Sequence, residues 1–141
     1  MLVQEARAAG SAAGFMTTSF AGDDLIKELG QDSNGVIMAQ AVPRLSRLIN
    51  PLVRDYARHL KLALPQATPS YPGLEAYIAA RALVEGLKLA GKNLTRKSFI
   101  AAMESMKRLD LGDIELSFSP DNHNGSNYVD ITIISRGKFM N

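Results

Sequence analysis

Apolar positions recur every three or four residues through the middle of the chain and every second residue near its end. The period changes at Gly112. Asn50 followed by Pro51 reads as an N-cap and first residue of a helix. Its apolar stripe is Leu52, Val53, Tyr56, Leu60 and Leu64, and Pro65 stops it. Ser70 opens a longer helix with Pro72 in its first turn. Leu74, Tyr77, Ile78, Val84 and Leu87 form its expected buried side. Leu83 and Leu89 widen that stripe, which predicts packing on more than one side. Arg81, Glu85 and Lys88 mark the wet face, and Gly91 ends the helix. Thr95 caps a third helix with Phe99, Ile100 and Met103 inward. Lys107 and Arg108 suit its C-terminal dipole.

The flanks read differently. Met1 to Arg7 resembles the last turns of an amphipathic helix, closed by Gly10. Residues 14–19 are rich in β-formers and predict a strand. Asp23 and Asp24 then fit the first turn of a helix with Leu25, Ile26 and Leu29 inward and Gly30 at C′. Val36, Ile37, Met38 and Ala39 form the continuous apolar run of a strand covered on both faces. Strand, helix, strand predicts a right-handed βαβ unit with parallel strands. Beyond Gly112, Ile114, Leu116 and Phe118 alternate with polar residues, and 119–125 is a turn cluster. Residues 128–134 predict a strand with Val129, Ile131 and Ile133 on one face, broken by Gly137. The class is α/β without internal repeats. Two strands make a poor sheet, so residues 1–42 are expected to complete a sheet whose other strands lie outside this chain.

Composition narrows the chemistry. The 141 residues suit one domain. Absence of cysteine excludes disulfides, thiolate metal sites and cysteine nucleophiles, and two histidines far apart make a histidine-rich metal site unexpected. No cofactor is expected. No apolar run is long enough to span a membrane, and the opening residues lack the basic and apolar regions of a signal peptide. Residues 43–108 carry twelve Lys/Arg against four Asp/Glu, whereas 1–42 and 109–141 each carry two against five. The basic residues spread over helix faces without interleaved aromatics, so no nucleic-acid partner is expected. No glycine-rich phosphate loop, nucleophile elbow or acid–base pair is present, so no enzyme is expected. Asp121 to Gly125 lacks the carboxylate spacing of a calcium loop and reads as a turn.

The informative position is Ser19 to Gly22. Open α/β sheets bind ligands outside the carboxyl ends of their strands. Ser19 stands at such an end, Phe20 offers an apolar contact, and Ala21 and Gly22 allow close backbone approach. The bland alternative is a strand-to-helix turn in which Ser19 is a cap.

Several segments together resemble the C-terminal part of the branched-chain amino acid (Leu/Ile/Val) type periplasmic substrate-binding proteins of ABC transporters. They are Ala6-Arg7-Ala8-Ala9-Gly10, residues 15–22, 35–43, Pro51-Leu52-Val53-Arg54-Asp55-Tyr56, Pro69-Ser70-Tyr71, residues 74–81 and 111–120. The resemblance implies part of a two-lobed type I fold lacking its N-terminal portion. Residues 1–42 would belong to the second lobe and 43–120 to the first. Residues 121–141 would cross back and return a strand to the second lobe. It implies a non-enzymatic, periplasmic solute-binding component of an importer that closes around a small amino-acid-like or carboxylate ligand. Its partners would be the transporter's membrane subunits. Ser19, Phe20 and Tyr71 would bind ligand, Tyr71 at the start of the long helix near the hinge, where its alternative role is packing between helices. Amino-acid binders of the family carry an acidic residue where Ser19 stands, and serine cannot neutralise a buried ammonium. The alternative is a free-standing α/β interaction or regulatory domain that self-associates. Either way a homo-oligomer is expected, formed by unpaired strands or by exchange of elements around Pro43 and Ser119.

Overall fold

The computed structural model describes residues 2–46 and 49–140. Its element order is α1 (Leu2–Ala8), β1 (Met16–Thr18), α2 (Gly22–Leu29), β2 (Ile37–Gln40), α3 (Pro51–Ala63), α4 (Tyr71–Ala90), α5 (Arg96–Ser105), β3 (Leu109–Asp110), β4 (Glu115–Leu116), β5 (Asp130–Ser135) and β6 (Lys138–Met140). A 3-10 turn, Ser19–Ala21, joins β1 to α2. The opening stub is helical, with Met1 outside the described residues.

Both ends of the chain supply one sheet, in the order β1-β2-β5-β6. β1 and β2 are parallel, as the βαβ pattern predicts, and β2–β5 and β5–β6 are antiparallel. β5 and β6, from the segment 121–141, thus give β2 its second neighbour and extend the sheet within this chain. Gly137 does not end the sheet but turns it. Arg136 and Gly137 both have positive φ (51° and 69°), the signature of a two-residue type I′ hairpin whose twist matches the strands. The strand expected over 14–19 shortens to three residues, because Ser19 enters the 3-10 turn.

Val129, Ile131 and Ile133 lie on the exposed side of this region; the buried face of β5 is Thr132 and Ile134. On that face α1 and α2 close the sheet, with Val3, Leu25, Ile26 and Leu29 packed around Val36 and Ile134. A second core joins α3, α4 and the small β3–β4 ribbon through Leu52, Val53, Tyr56, Leu74, Ile78 and Ile114. Phe139 of β6 packs against both cores.

Helix starts fall where the sequence predicts. The Asn50 side-chain Oδ1 accepts from the backbone N–H groups of Leu52 (2.9 Å) and Val53 (3.3 Å). Ser70 Oγ accepts from Gly73, and Thr95 and Ser98 form a reciprocal capping box. The faces are less well anticipated. On α4 the buried residues are Tyr71, Leu74, Ile78, Ala82 and Gly86, while Val84 and Leu87, expected inside, are exposed with Leu83 and Leu89. The reason is close packing: Gly86 has no side chain, so Phe99 and Met103 of α5 fill that space. The α5 residue Ile100, also expected inward, is exposed; Ala102 is buried instead. Leu64 lies beyond the end of α3 and is exposed.

A candidate ligand cleft at the strand ends

The parallel strands β1 and β2 finish side by side, Thr18 opposite Ala39. Beyond them the chain leaves in two directions. After β1 it makes the Ser19–Ala21 turn and enters α2. After β2 it crosses through residues 41–46 toward the helical core. Gly22 completes the first path with φ +48°, a conformation that disfavours any side chain, and its N–H donates to the Ser19 carbonyl. The turn packs against α4, and Pro72 stands 3.8 Å from where a Gly22 Cβ would lie. One strand end is therefore set against the first turn of a helix from the other core.

That helix start is fixed from α3. The Tyr56 hydroxyl lies 3.3 Å from the Ser70 N–H, which donates to it, and 3.5 Å from the Ser70 carbonyl. Tyr71 follows, only 4% exposed, and meets Phe139 edge-on with centroids 5.3 Å apart. Its hydroxyl accepts the Leu45 N–H and feels the charges of Arg44, Asp130 and Asp23. Burial dominates and pushes the phenol up to about 12 from 10.0. A groove of about 320 Å³ opens here, lined among others by Asp23, Ile26, Leu45, Tyr71, Lys138 and Phe139.

The turn that bears Ser19 and Phe20 packs against α4, which Tyr71 opens, but of the three expected residues only Tyr71 lines the groove. Ser19 is 4% exposed and Phe20 is 86% exposed, although they are adjacent. Ser19 is not a helix cap: α2 has Ala21 at its N-cap, without a side-chain hydrogen bond. Tyr71 is a member of the helical core as well as a wall of the groove. Sequence reasoning missed the polar groups of the crossover and the facing helix. Gln40 is buried, its Nε2 3.0 Å from Met38 Sδ. Gln40 Oε1, Arg44 Nε and Glu75 Oε1 are buried without a hydrogen-bond partner, a state that native proteins resolve with water, an ion or a ligand. The one signal available was a glutamine closing an otherwise apolar strand.

The remaining candidates stand apart. His59 Nδ1 lies 2.8 Å from the Tyr77 hydroxyl, so it is exposed but bonded, and His123 Nε2 lies 3.1 Å from Glu104. Among the described residues no cluster of His, Asp or Glu could hold a metal ion. Among them, too, no helix is long and apolar enough to cross a membrane.

Comparison with known proteins now gives the geometry a context. Solved structures share the fold closely. A possible leucine/isoleucine/valine-binding protein from Rhodopirellula baltica SH 1 superposes with a TM-score of 0.90 at 30% identity, over 99% of this chain and 38% of its own. An extracellular ligand-binding receptor from Verminephrobacter eiseniae ef01-2 gives 0.84 at 28%, over 99% and 40%. A branched chain amino acid ABC transporter protein from Thermus thermophilus with bound valine gives 0.77 at 17%, which speaks to fold alone, over 99% and 40%. The chain thus spans about two-fifths of the length of these structures and corresponds to part of their fold. Curated proteins gave no match. The periplasmic binding protein family matches residues 1–138, and the chain belongs to that family.

Proposed function

We propose that this chain supplies the crossover side of a ligand cleft in the solute-binding component of an ABC-type importer. The ligand is a small carboxylate or amino-acid-like solute held between two lobes, in the periplasm, and delivered to membrane subunits of the transporter. No covalent chemistry is involved. The observation that carries this reading is the packing of the Ser19–Ala21 turn against α4, beside a groove lined together by α2, the crossover, the start of α4 and the β5–β6 hairpin. Such a junction lets two bodies rotate about residues 41–46. A ligand that touches both bodies stabilises the closed arrangement in proportion to its better affinity for it.

Within this reading Ser19 hydrogen-bonds the ligand head group, Phe20 covers its apolar part and Tyr71 stiffens the hinge side. The titratable neighbours are mixed in sign, with Arg44 and Lys138 against Asp23 and Asp130. That mixture suits a zwitterion or a carboxylate. Supporting it further, the neighbour from Rhodopirellula baltica is named for leucine, isoleucine and valine.

The test is calorimetry with valine, leucine and aromatic carboxylates on two proteins. One is this chain alone. The other is a chimera in which it replaces the corresponding part of the Rhodopirellula baltica protein. The chimera should bind at least one of these saturably, and Ser19→Ala should weaken that binding about fivefold or more, the equivalent of one buried hydrogen bond. The chain alone should show no saturable heat. Sub-micromolar binding by the chain alone, or indifference of the chimera to Ser19→Ala, would overturn the assignment.

A further inference from the structure

The sequence holds two Asn-Gly pairs, Asn34-Gly35 and Asn124-Gly125. Such a pair carries a latent reaction. The backbone nitrogen of the glycine attacks the asparagine Cγ. A new C–N bond forms, the Cγ–Nδ2 bond breaks, and the side-chain nitrogen leaves as ammonia with the proton of the glycine N–H. The cyclic imide then takes up water and opens to aspartate or isoaspartate. Glycine favours the attack because no Cβ obstructs it. The reaction needs a free glycine N–H and an asparagine side chain that can fold over its own backbone.

The fold imposes both glycines, for different reasons. Gly35 has φ +80°. A Cβ on Gly125 would stand 2.6 Å from Phe118 Cζ. Both asparagines are exposed. What separates the two pairs is anchoring. Asn34 Oδ1 accepts the Arg136 N–H at 2.6 Å, and its Nδ2 donates to the Gln31 carbonyl at 2.8 Å. Arg7 donates to the Asn34 carbonyl at 2.7 Å, and the Gly35 N–H donates to the Ile134 carbonyl at 2.8 Å. Attacking nitrogen and attacked carbon are both held away from the reaction. In the β4–β5 connection the anchors fall on other groups. The Gly125 carbonyl accepts the Ser117 N–H at 2.9 Å, and the Asn124 N–H donates to Asn122 Oδ1 at 2.9 Å. Among the described residues neither the Gly125 N–H nor the Asn124 side chain has a hydrogen-bond partner.

We propose that Asn124 is a site of spontaneous deamidation in this chain, with water as the co-reactant, and that the fold protects Asn34 from the same reaction. Every bond that holds Asn34 is made inside this chain, so its protection is independent of the ligand reading and of whatever packs outside. The product puts a carboxylate beside His123, whose Nε2 lies 3.1 Å from Glu104. Through isoaspartate it also adds a carbon to the backbone between the Asn122 and Gly125 anchors.

Incubation of the chain in mildly alkaline buffer, with and without urea, tests this, each site being followed by peptide mapping and mass spectrometry. In urea the two asparagines should convert at similar rates. In the folded chain, verified by circular dichroism, Asn34 should slow about tenfold or more relative to urea, because reaching the attack geometry breaks several hydrogen bonds, whereas Asn124 should stay within about threefold. Asn124→Gln should abolish the early acidic species that ion exchange resolves from the folded chain. Equal rates at the two sites in the folded chain would overturn the proposal. So would protection of Asn124 as strong as that of Asn34, or an early acidic species that survives Asn124→Gln.

Discussion

Tyr71 shows what burial does to a single side chain at the start of α4. Its phenol titrates near 12 in the folded chain against 10.0 when unfolded. A raised acid keeps its proton longer in the folded state, so the folded form binds more protons than the unfolded one between those values. Stability therefore falls as pH rises from about 10 to about 12 and is unaffected by this group below 10. Tyr71→Phe should lose less stability than the native chain between pH 9 and pH 11, measured as the shift in urea midpoint. At neutral pH it should be slightly weaker, because the Leu45 N–H loses its acceptor. Equal alkaline slopes in the two proteins would show that the phenol is not held in its neutral form.

At the scale of elements, α3 depends on one buried amide. Asn50 caps its first turn with Oδ1, and its Nδ2 donates to Asp113 Oδ2 at 2.6 Å, tying the helix to the turn between β3 and β4. Asn50→Ala should cost about 1–2 kcal/mol in chemical denaturation, and Asn50→Ser, which keeps a capping oxygen, should recover part of it. The cap was legible in the sequence because capping is local: Asn50 and Pro51 adjoin the groups they serve. The same holds for Ser70, Thr95 and the parallel β1–β2 pair. The buried side of α4 was not legible. Periodicity finds an apolar stripe but not its partner, and small residues such as Ala82 and Gly86 carry no hydrophobic signal although they allow the closest packing. β6 was missed for a related reason. Three residues after a glycine turn carry too little pattern to stand against a strand break. In the cleft, the Ser19 turn could be read from its place at a strand end, whereas the crossover groups Gln40 and Arg44 become visible only once the chain crosses beside Tyr71.

At the scale of the whole molecule, the sheet joins segments that are far apart in sequence. Thr132 donates to the Met38 carbonyl across 94 residues, and the helical core is encoded between the two. The helices use mainly neighbouring sequence and can form first. A chain truncated after residue 129 should keep most of its helical circular dichroism yet lose the protection of the Met38 amide from hydrogen exchange. Retained protection there would mean that β1 and β2 are stable without β5. The same arrangement sets a timetable during synthesis. At ribosomal rates β2 emerges roughly 5–20 s before the strand that pairs with it. Throughout that interval the apolar run from Val36 to Ala39 has one sheet edge open, and a nascent chain in that state is a natural client for a holding chaperone.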